Sequence, residues 1–166
     1  MIRRAVLGGF AAIMLLGCGP KAAVYDATYY LVRHAEKTAE TPDPALTQAG
    51  QKRAEDLAAR LSQTSFGAIY SSDYIRTRDT AAPIASAKNL DVIIYNPRDL
   101  DGFAKELLTL SGNILVVGHS NTTPQLSALL GGPEGTPIVE ATEYNRLYVL
   151  QRRGTDVTGQ IETYGD

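Results

Sequence analysis

The 166 residues contain two histidines, and each closes an apolar run. His34 ends "TYYLVRH", directly after Arg33, and His119 ends "NILVVGH", directly before "SNTTP". A third run, "GAIYSS", leads through Ser71 and Ser72 to Arg76. Two imidazoles with two guanidiniums suit a phosphoryl group. A guanidinium presents a planar fork of donors matched to phosphate oxygens and stays charged at any relevant pH. An imidazole can be a further donor or can attack. A helix beginning after His119 would add backbone N–H groups and the positive end of its dipole. A metal centre fits less well. Glu36 could join the two histidines around a divalent ion, but the domain has no cysteine and no His-Glu helix motif, and both arginines would repel the cation. Ser120 lies in "GHSNT" and not in a Gly-x-Ser-x-Gly elbow, so it does not read as a hydrolase nucleophile.

For these groups to meet, the three runs must be parallel strands ending at one edge, since an open α/β sheet binds its ligands outside the carboxyl ends of its strands. The pattern from Ala27 onward agrees, with short β-branched or aromatic runs alternating with helical stretches. The expected architecture is α/β, a three-layer α/β/α domain with a mainly parallel sheet and helices on both faces. After the strand ending at His34, "LTQAGQKRAEDLAARLSQ" predicts a helix capped by Thr47, with Ala54, Leu57, Ala58 and Leu61 on one face. A helix from about Tyr74 to Lys88 follows the second strand, with Ile75, Ala82 and Ile84 inward and a kink or break at Pro83. "LDVIIYN" predicts a third strand, "DGFAKELLTL" a helix, "NILVVGH" a buried fourth strand and "TPQLSALLGG" a final helix. "RLYVLQRR" predicts a fifth strand, to which "QIETY" adds an edge. Ser71 and Ser72 are expected to cap the helix carrying Arg76, and Asp79 to pair with Arg76 or Arg78. The loops "EKTAETPDPA" and Pro133 to Thr142 are irregular enough to specify a substrate.

The first segment stands apart. "MIRRAVLGGFAAIMLLGCGP" has two arginines, an apolar run too short to span a bilayer, then small residues, which is the layout of an export signal. Leu15, Leu16, Gly17 and Cys18 resemble a bacterial lipobox. Cys18 is the sole cysteine, so no disulfide can form within the chain, and lipidation would consume a thiol otherwise left exposed. The reading is a signal peptide over 1–17, lipidation at Cys18, a tether over 18–26 and one domain over 27–166. It places the protein at the bacterial envelope, lipid-anchored on the periplasmic side of a membrane and monomeric. Its apolar content of 44% supports a core, and its formal charge of −2, with no basic stripe, argues against nucleic acid as a partner.

With these residues on the page, the chain resembles the histidine phosphatase superfamily, the phosphoglycerate mutase-like proteins, and among them the small uncapped members. "LVRHAE" resembles the Arg-His signature, "LTQAGQKRA" the helix start after it, "IYSSDYIRTRDTA" the segment carrying the second arginine, and "VVGHSN" the second histidine motif. All four occur in the family's order between Tyr29 and Asn121. The resemblance implies that His34 is the nucleophile accepting the phosphoryl group and that Arg33, Arg76 and His119 bind its oxygens. It implies no metal and no other cofactor. The family's proton donor has no clear counterpart, because Ser120 stands where some members have Asp. Glu36, Asp99 and Asp101 are the alternatives. The expected function is a metal-independent phosphatase acting on a phosphorylated small molecule or envelope component through a phosphohistidine. Its rivals are an envelope lipoprotein that binds an anion without turning it over, and a phosphohistidine protein phosphatase.

Overall fold

A computed structural model describes residues 26–165. The leader over 1–17, Cys18 and the tether up to residue 25 lie outside the described residues.

Ten elements follow in the order β1 (Ala27–Arg33), α1 (Gln48–Arg60), β2 (Phe66–Ser72), α2 (Ile75–Lys88), β3 (Val92–Tyr95), α3 (Leu100–Thr109), β4 (Gly112–Gly118), α4 (Thr122–Leu129), β5 (Arg146–Arg153) and β6 (Asp156–Thr163). One six-stranded sheet runs in the order β3-β2-β4-β1-β5-β6. The first four strands in that order are parallel, and β5 is antiparallel to both β1 and β6. Register fixes where the chemistry falls. Arg33 lies opposite Gly118, Ser71 opposite Val117, and Ser72 opposite Tyr95, so the carboxyl ends of β1, β2, β3 and β4 form one edge.

The sheet is covered on both faces, as its apolar central strands require. Tyr29, Leu31, Ile114 and Val116 point into one core with Phe103 and Leu107 of α3 and Leu126 of α4. Val32, Leu115 and Val117 point the other way, onto Leu57 of α1 and Ile84 of α2. Alternate residues of β1 and β4 therefore serve opposite layers, the period-two consequence of a pleated strand.

Several expectations are corrected here. The α2 helix runs unbroken through Pro83, and its buried face is Thr77, Thr80, Ala81, Ile84 and Ala85. Ile75 is exposed at the first turn and Ala82 faces outward, because the face turned to the sheet is set by its threonines and alanines, whose small side chains fit a close approach. The strand after "RLYVLQRR" is the expected edge of the sheet but is longer than "QIETY", running over eight residues, and its glycine at 159 lies against Leu150 and Pro133, which leave little room for a side chain. Asp99, just before the predicted α3, is its cap and accepts from the Gly102 N–H at 3.0 Å.

Candidate active site

His34 follows the last residue of β1 and is fixed by its backbone. Its N–H donates to Gly118 O on β4 at 3.0 Å, and the next N–H, of Ala35, donates to Thr80 Oγ1 on α2 at 2.9 Å. Thr80 in turn donates to the Arg76 carbonyl at 2.7 Å, so the segment carrying His34 is tied to the helix carrying Arg76. The His34 side chain is only 3% exposed, and Nδ1 lies 2.8 Å from the Ala35 carbonyl. A carbonyl only accepts, so Nδ1 carries the hydrogen and Nε2 the lone pair.

His119 is set by the turn from β4 into α4. Its N–H donates to Thr122 Oγ1 at 2.9 Å, and Thr123 Oγ1 donates to Val32 O. Gly118 is required at this turn, because a Cβ there would lie 2.9 Å from both Thr122 Oγ1 and Tyr95 Oη. The ring of His119 sits 5.6 Å from that of His34 and 5.1 Å from Tyr74, edge-on to the latter. Its Nε2 lies 2.8 Å from Ser72 Oγ, and Arg76 Nη2 approaches its Nδ1 at 3.5 Å. As a guanidinium only donates, Nδ1 is the accepting nitrogen and Nε2–H donates to Ser72.

The residues around Ser72 and Arg76 depart from the local roles expected of them. Ser72 does not cap α2; it is buried and links His119 to Thr77, whose hydroxyl lies 3.2 Å away. The cap comes instead from Asp43 in the loop after β1, whose carboxylate accepts from the Ile75 N–H at 3.1 Å and meets Arg76 Nη1 at 3.5 Å. Arg76 also lies over the Tyr74 ring, 4.3 Å from its centroid. Arg78 pairs with Asp73 and Arg76 with Asp43, so among the described residues Asp79 is the ion-pair partner of neither arginine.

Arg33 is 1% exposed and turns toward the segment before β5. Its Nη1 and Nη2 donate to the carbonyls of Glu143 and Glu140 at 2.9 and 2.8 Å, and its guanidinium stacks 4.0 Å from the Tyr144 ring. Its Nε and that of Arg76 are buried without a hydrogen-bond partner, and no other buried side-chain polar atom among the described residues is so placed. Buried donors are ordinarily paired.

His34, Arg76 and His119 thus line one cleft of about 300 Å³, whose wall also takes Lys37 and Arg98 and the start of α4 at Ser120 and Asn121. A second cavity, of about 490 Å³, adjoins it through Ser120, Asn121 and Glu140 and is lined further by Pro124, Pro137 and Ile138. Burial pushes His34 down to about 3; the Ala35 carbonyl opposes this, while Arg33, His119 and Arg76 add to it. Burial, then Arg76 and Arg33, pushes His119 down to about 4. Both imidazoles are neutral at neutral pH. Among the described residues there is no cluster of three or more His, Cys, Asp or Glu side chains suited to a metal ion.

The three carboxylates named for proton donation are not brought into the cleft. Glu36 is paired with Arg53, its Oε1 2.8 Å from both Nε and Nη2, because α1 packs its first turn on the segment after His34. Asp99 is occupied as the α3 cap, and Asp101 is exposed in the first turn of the same helix. Reasoning from sequence missed Asp43, Lys37, Arg98, Tyr144 and Glu140. Asp43 and Lys37 stand in the loop singled out after β1, but nothing in their spacing marks them. Glu140 sits in an irregular segment 21 positions after His119, and only the fold brings it near.

Fold and site together define an α/β/α domain with a two-histidine cleft at the carboxyl edge of its parallel strands, surrounded by arginines. Residues 29–97 match the family model of the histidine phosphatase superfamily, branch 1. The curated phosphoserine phosphatase 1 of Hydrogenobacter thermophilus is 46% identical over 70 residues, which cover 38% of this chain and 33% of that protein. The match thus spans about a third of that relative's length. Among solved structures, the protein histidine phosphatase SixA complexed with tungstate superposes with a TM-score of 0.64 at 16% identity, covering 82% of this chain and 95% of SixA. A mycobacterial glucosyl-3-phosphoglycerate phosphatase with inorganic phosphate gives 0.59 at 15% identity, covering 84% and 97%. These two show a shared fold.

Proposed function

We propose that this protein is a metal-independent phosphatase that hydrolyses phosphomonoesters through a phosphohistidine at His34. The observation that supports it most is the pair of buried Arg33 and Arg76 Nε–H groups without a partner, beside a neutral imidazole whose Nε2 keeps its lone pair. Phosphate oxygens are the acceptors such donors lack, and the lone pair is what a nucleophile needs. Nε2 attacks phosphorus as the bond to the leaving oxygen breaks. Arg76, Arg33 and the α4 start hold the equatorial oxygens. His119 joins them once its Nδ1 takes a proton, which a bound dianion favours. Water then attacks the phosphohistidine, phosphate leaves, and Nε2 regains its lone pair.

Small phosphomonoesters are the preferred class, because the second cavity has room for a compact leaving group and the sequence likeness is to a phosphoserine phosphatase. An exported, lipid-anchored location belongs to the same proposal and is supported by the lipobox-like stretch ending at Cys18. Labelled palmitate should enter the wild type and not Cys18→Ser.

The test of the chemistry is turnover of p-nitrophenyl phosphate without added metal and in the presence of a chelator. Wild type should be active and sensitive to vanadate, and an acid-labile phosphoryl group should be trapped on His34 by rapid quenching. His34→Asn should remove both turnover and trapping. Full activity in that variant overturns the mechanism. Saturable binding of phosphate with no turnover of any ester would instead identify a non-catalytic anion receptor.

A further inference from the structure

Among the residues lining the phosphate cleft, Glu140 is the one acidic residue, and the same residue lines the adjoining cavity. It stands where the two meet. If phosphorus occupies the cleft and the leaving group the cavity, the scissile oxygen lies at that boundary. We propose that Glu140 is the proton donor to the leaving oxygen, an inference that rests on the phosphatase reading above.

An exposed glutamate on an irregular segment is ordinarily just solvated. Here its backbone is fixed from three directions. The N–H groups of Thr142 and Glu143 both donate to Val139 O, closing a turn around Glu140. The Glu143 carboxylate accepts from the Val139 N–H at 3.0 Å. Arg33 then clamps the turn through the Glu140 and Glu143 carbonyls. The residue next to the nucleophile therefore positions the turn that carries the carboxyl. The carboxylates offered for the role stand elsewhere: Glu36 pairs with Arg53, Asp99 caps α3, and Asp101 is exposed in the first turn of α3 outside the cleft lining; Asp43 is taken by Arg76 and the α2 N-terminus.

The proton balance closes over the two steps. In the first, Nε2 of His34 bonds to phosphorus, the P–O bond to the leaving group breaks, and the Glu140 O–H proton passes to that oxygen, leaving a carboxylate. In the second, the carboxylate takes a proton from the water that attacks phosphorus, the P–N bond breaks, and inorganic phosphate departs with Glu140 protonated again.

The experiment compares wild type with Glu140→Gln on esters that differ in leaving-group basicity. General acid catalysis contributes roughly 10²–10⁴-fold and matters most for poor leaving groups. With p-nitrophenyl phosphate the variant should lose only a few-fold in kcat, whereas with an alkyl ester such as glycerol phosphate the loss should be about 10²-fold or more at nearly constant KM. The alkyl-ester kcat profile should also lose its alkaline limb. The Arg33 contact is to the Glu140 backbone, so the unfolding midpoint should hold. An equal loss on both esters, a change confined to KM, or no loss at all overturns the assignment of Glu140 and leaves the His34 mechanism standing. Wild type inactive on every ester, or active without His34, overturns both.

Discussion

The chemistry of His34 depends on which nitrogen keeps its lone pair and on the ring staying neutral. The Ala35 carbonyl decides the first, and burial with the neighbouring cations decides the second. A direct check is available because the protein has just two histidines. In untagged protein, the imidazole C–H resonances should stay at their neutral positions from pH 8 down to pH 5, with both midpoints below that range. A midpoint near the ordinary value of about 6.5 for either ring would contradict the geometry. Arg33 has two tasks, since its Nη groups hold the Glu140 turn while Nε keeps a hydrogen to give. Lysine preserves the charge but not the fork. Arg33→Lys should lower kcat/KM by about 10²-fold, the scale of losing a preorganised donor, and should loosen the 139–144 turn as seen by faster amide exchange at Glu143. The histidines and arginines were legible in the sequence because each sits within a few positions of a strand end, where apolar pattern and polar residue change abruptly. Glu140 and Asp43 were not. Their partners lie at long range, and no local periodicity points to them.

At the scale of elements, the segment between β1 and α1 joins the fold to the site. Lys37 pairs with Leu46 in a single antiparallel bridge, Thr47 donates to Glu36 O at 2.9 Å and caps α1 by accepting from Gly50, and Gly50 packs against the Glu36 backbone with no room for a Cβ. Gly50→Ala should therefore cost about 1–3 kcal/mol in urea unfolding, a cost of overpacking, and should displace Lys37 from the cleft wall enough to raise KM. Asp43→Ala should cost about 1 kcal/mol by removing the cap on α2, and should raise KM further by freeing Arg76. The parallel strands and both helix layers could be read from apolar runs alone, because a strand buried on both faces leaves a continuous signature. Of the inward face of α2, Ile84 could, but the rest could not. Threonine and alanine carry little hydrophobic signal, and the sheet selects them for size.

For the molecule as a whole, the buried neutral histidines make stability depend on pH. In the unfolded chain each takes up a proton as pH falls through about 6.5, while in the fold they resist until about 3 and 4. Protons bind the unfolded state first, so this contribution is fully present above pH 6.5 and is lost as pH falls toward 4 and 3. The urea midpoint should be lower at pH 5 than at pH 7.5, and the double variant His34→Asn with His119→Asn should flatten that difference. A midpoint that rises on acidification would contradict the sign.

The two ends of the described chain lie at opposite poles of the sheet. Asp26 is held beside the start of β1 by Arg152 O and Gly112 N–H, seven strand residues from the site, or about 20 Å at the rise of a β-strand. Tyr164, by contrast, donates its hydroxyl to the Tyr144 carbonyl, beside the stack on Arg33, and lends its own carbonyl to Arg53, the partner of Glu36. Whatever grips the chain ahead of Asp26, a fusion partner or a lipid on Cys18, therefore holds the domain by its rear. The cleft lies at the opposite end of β1 from that attachment point, while additions after Tyr164 begin on the cleft's own side of the sheet.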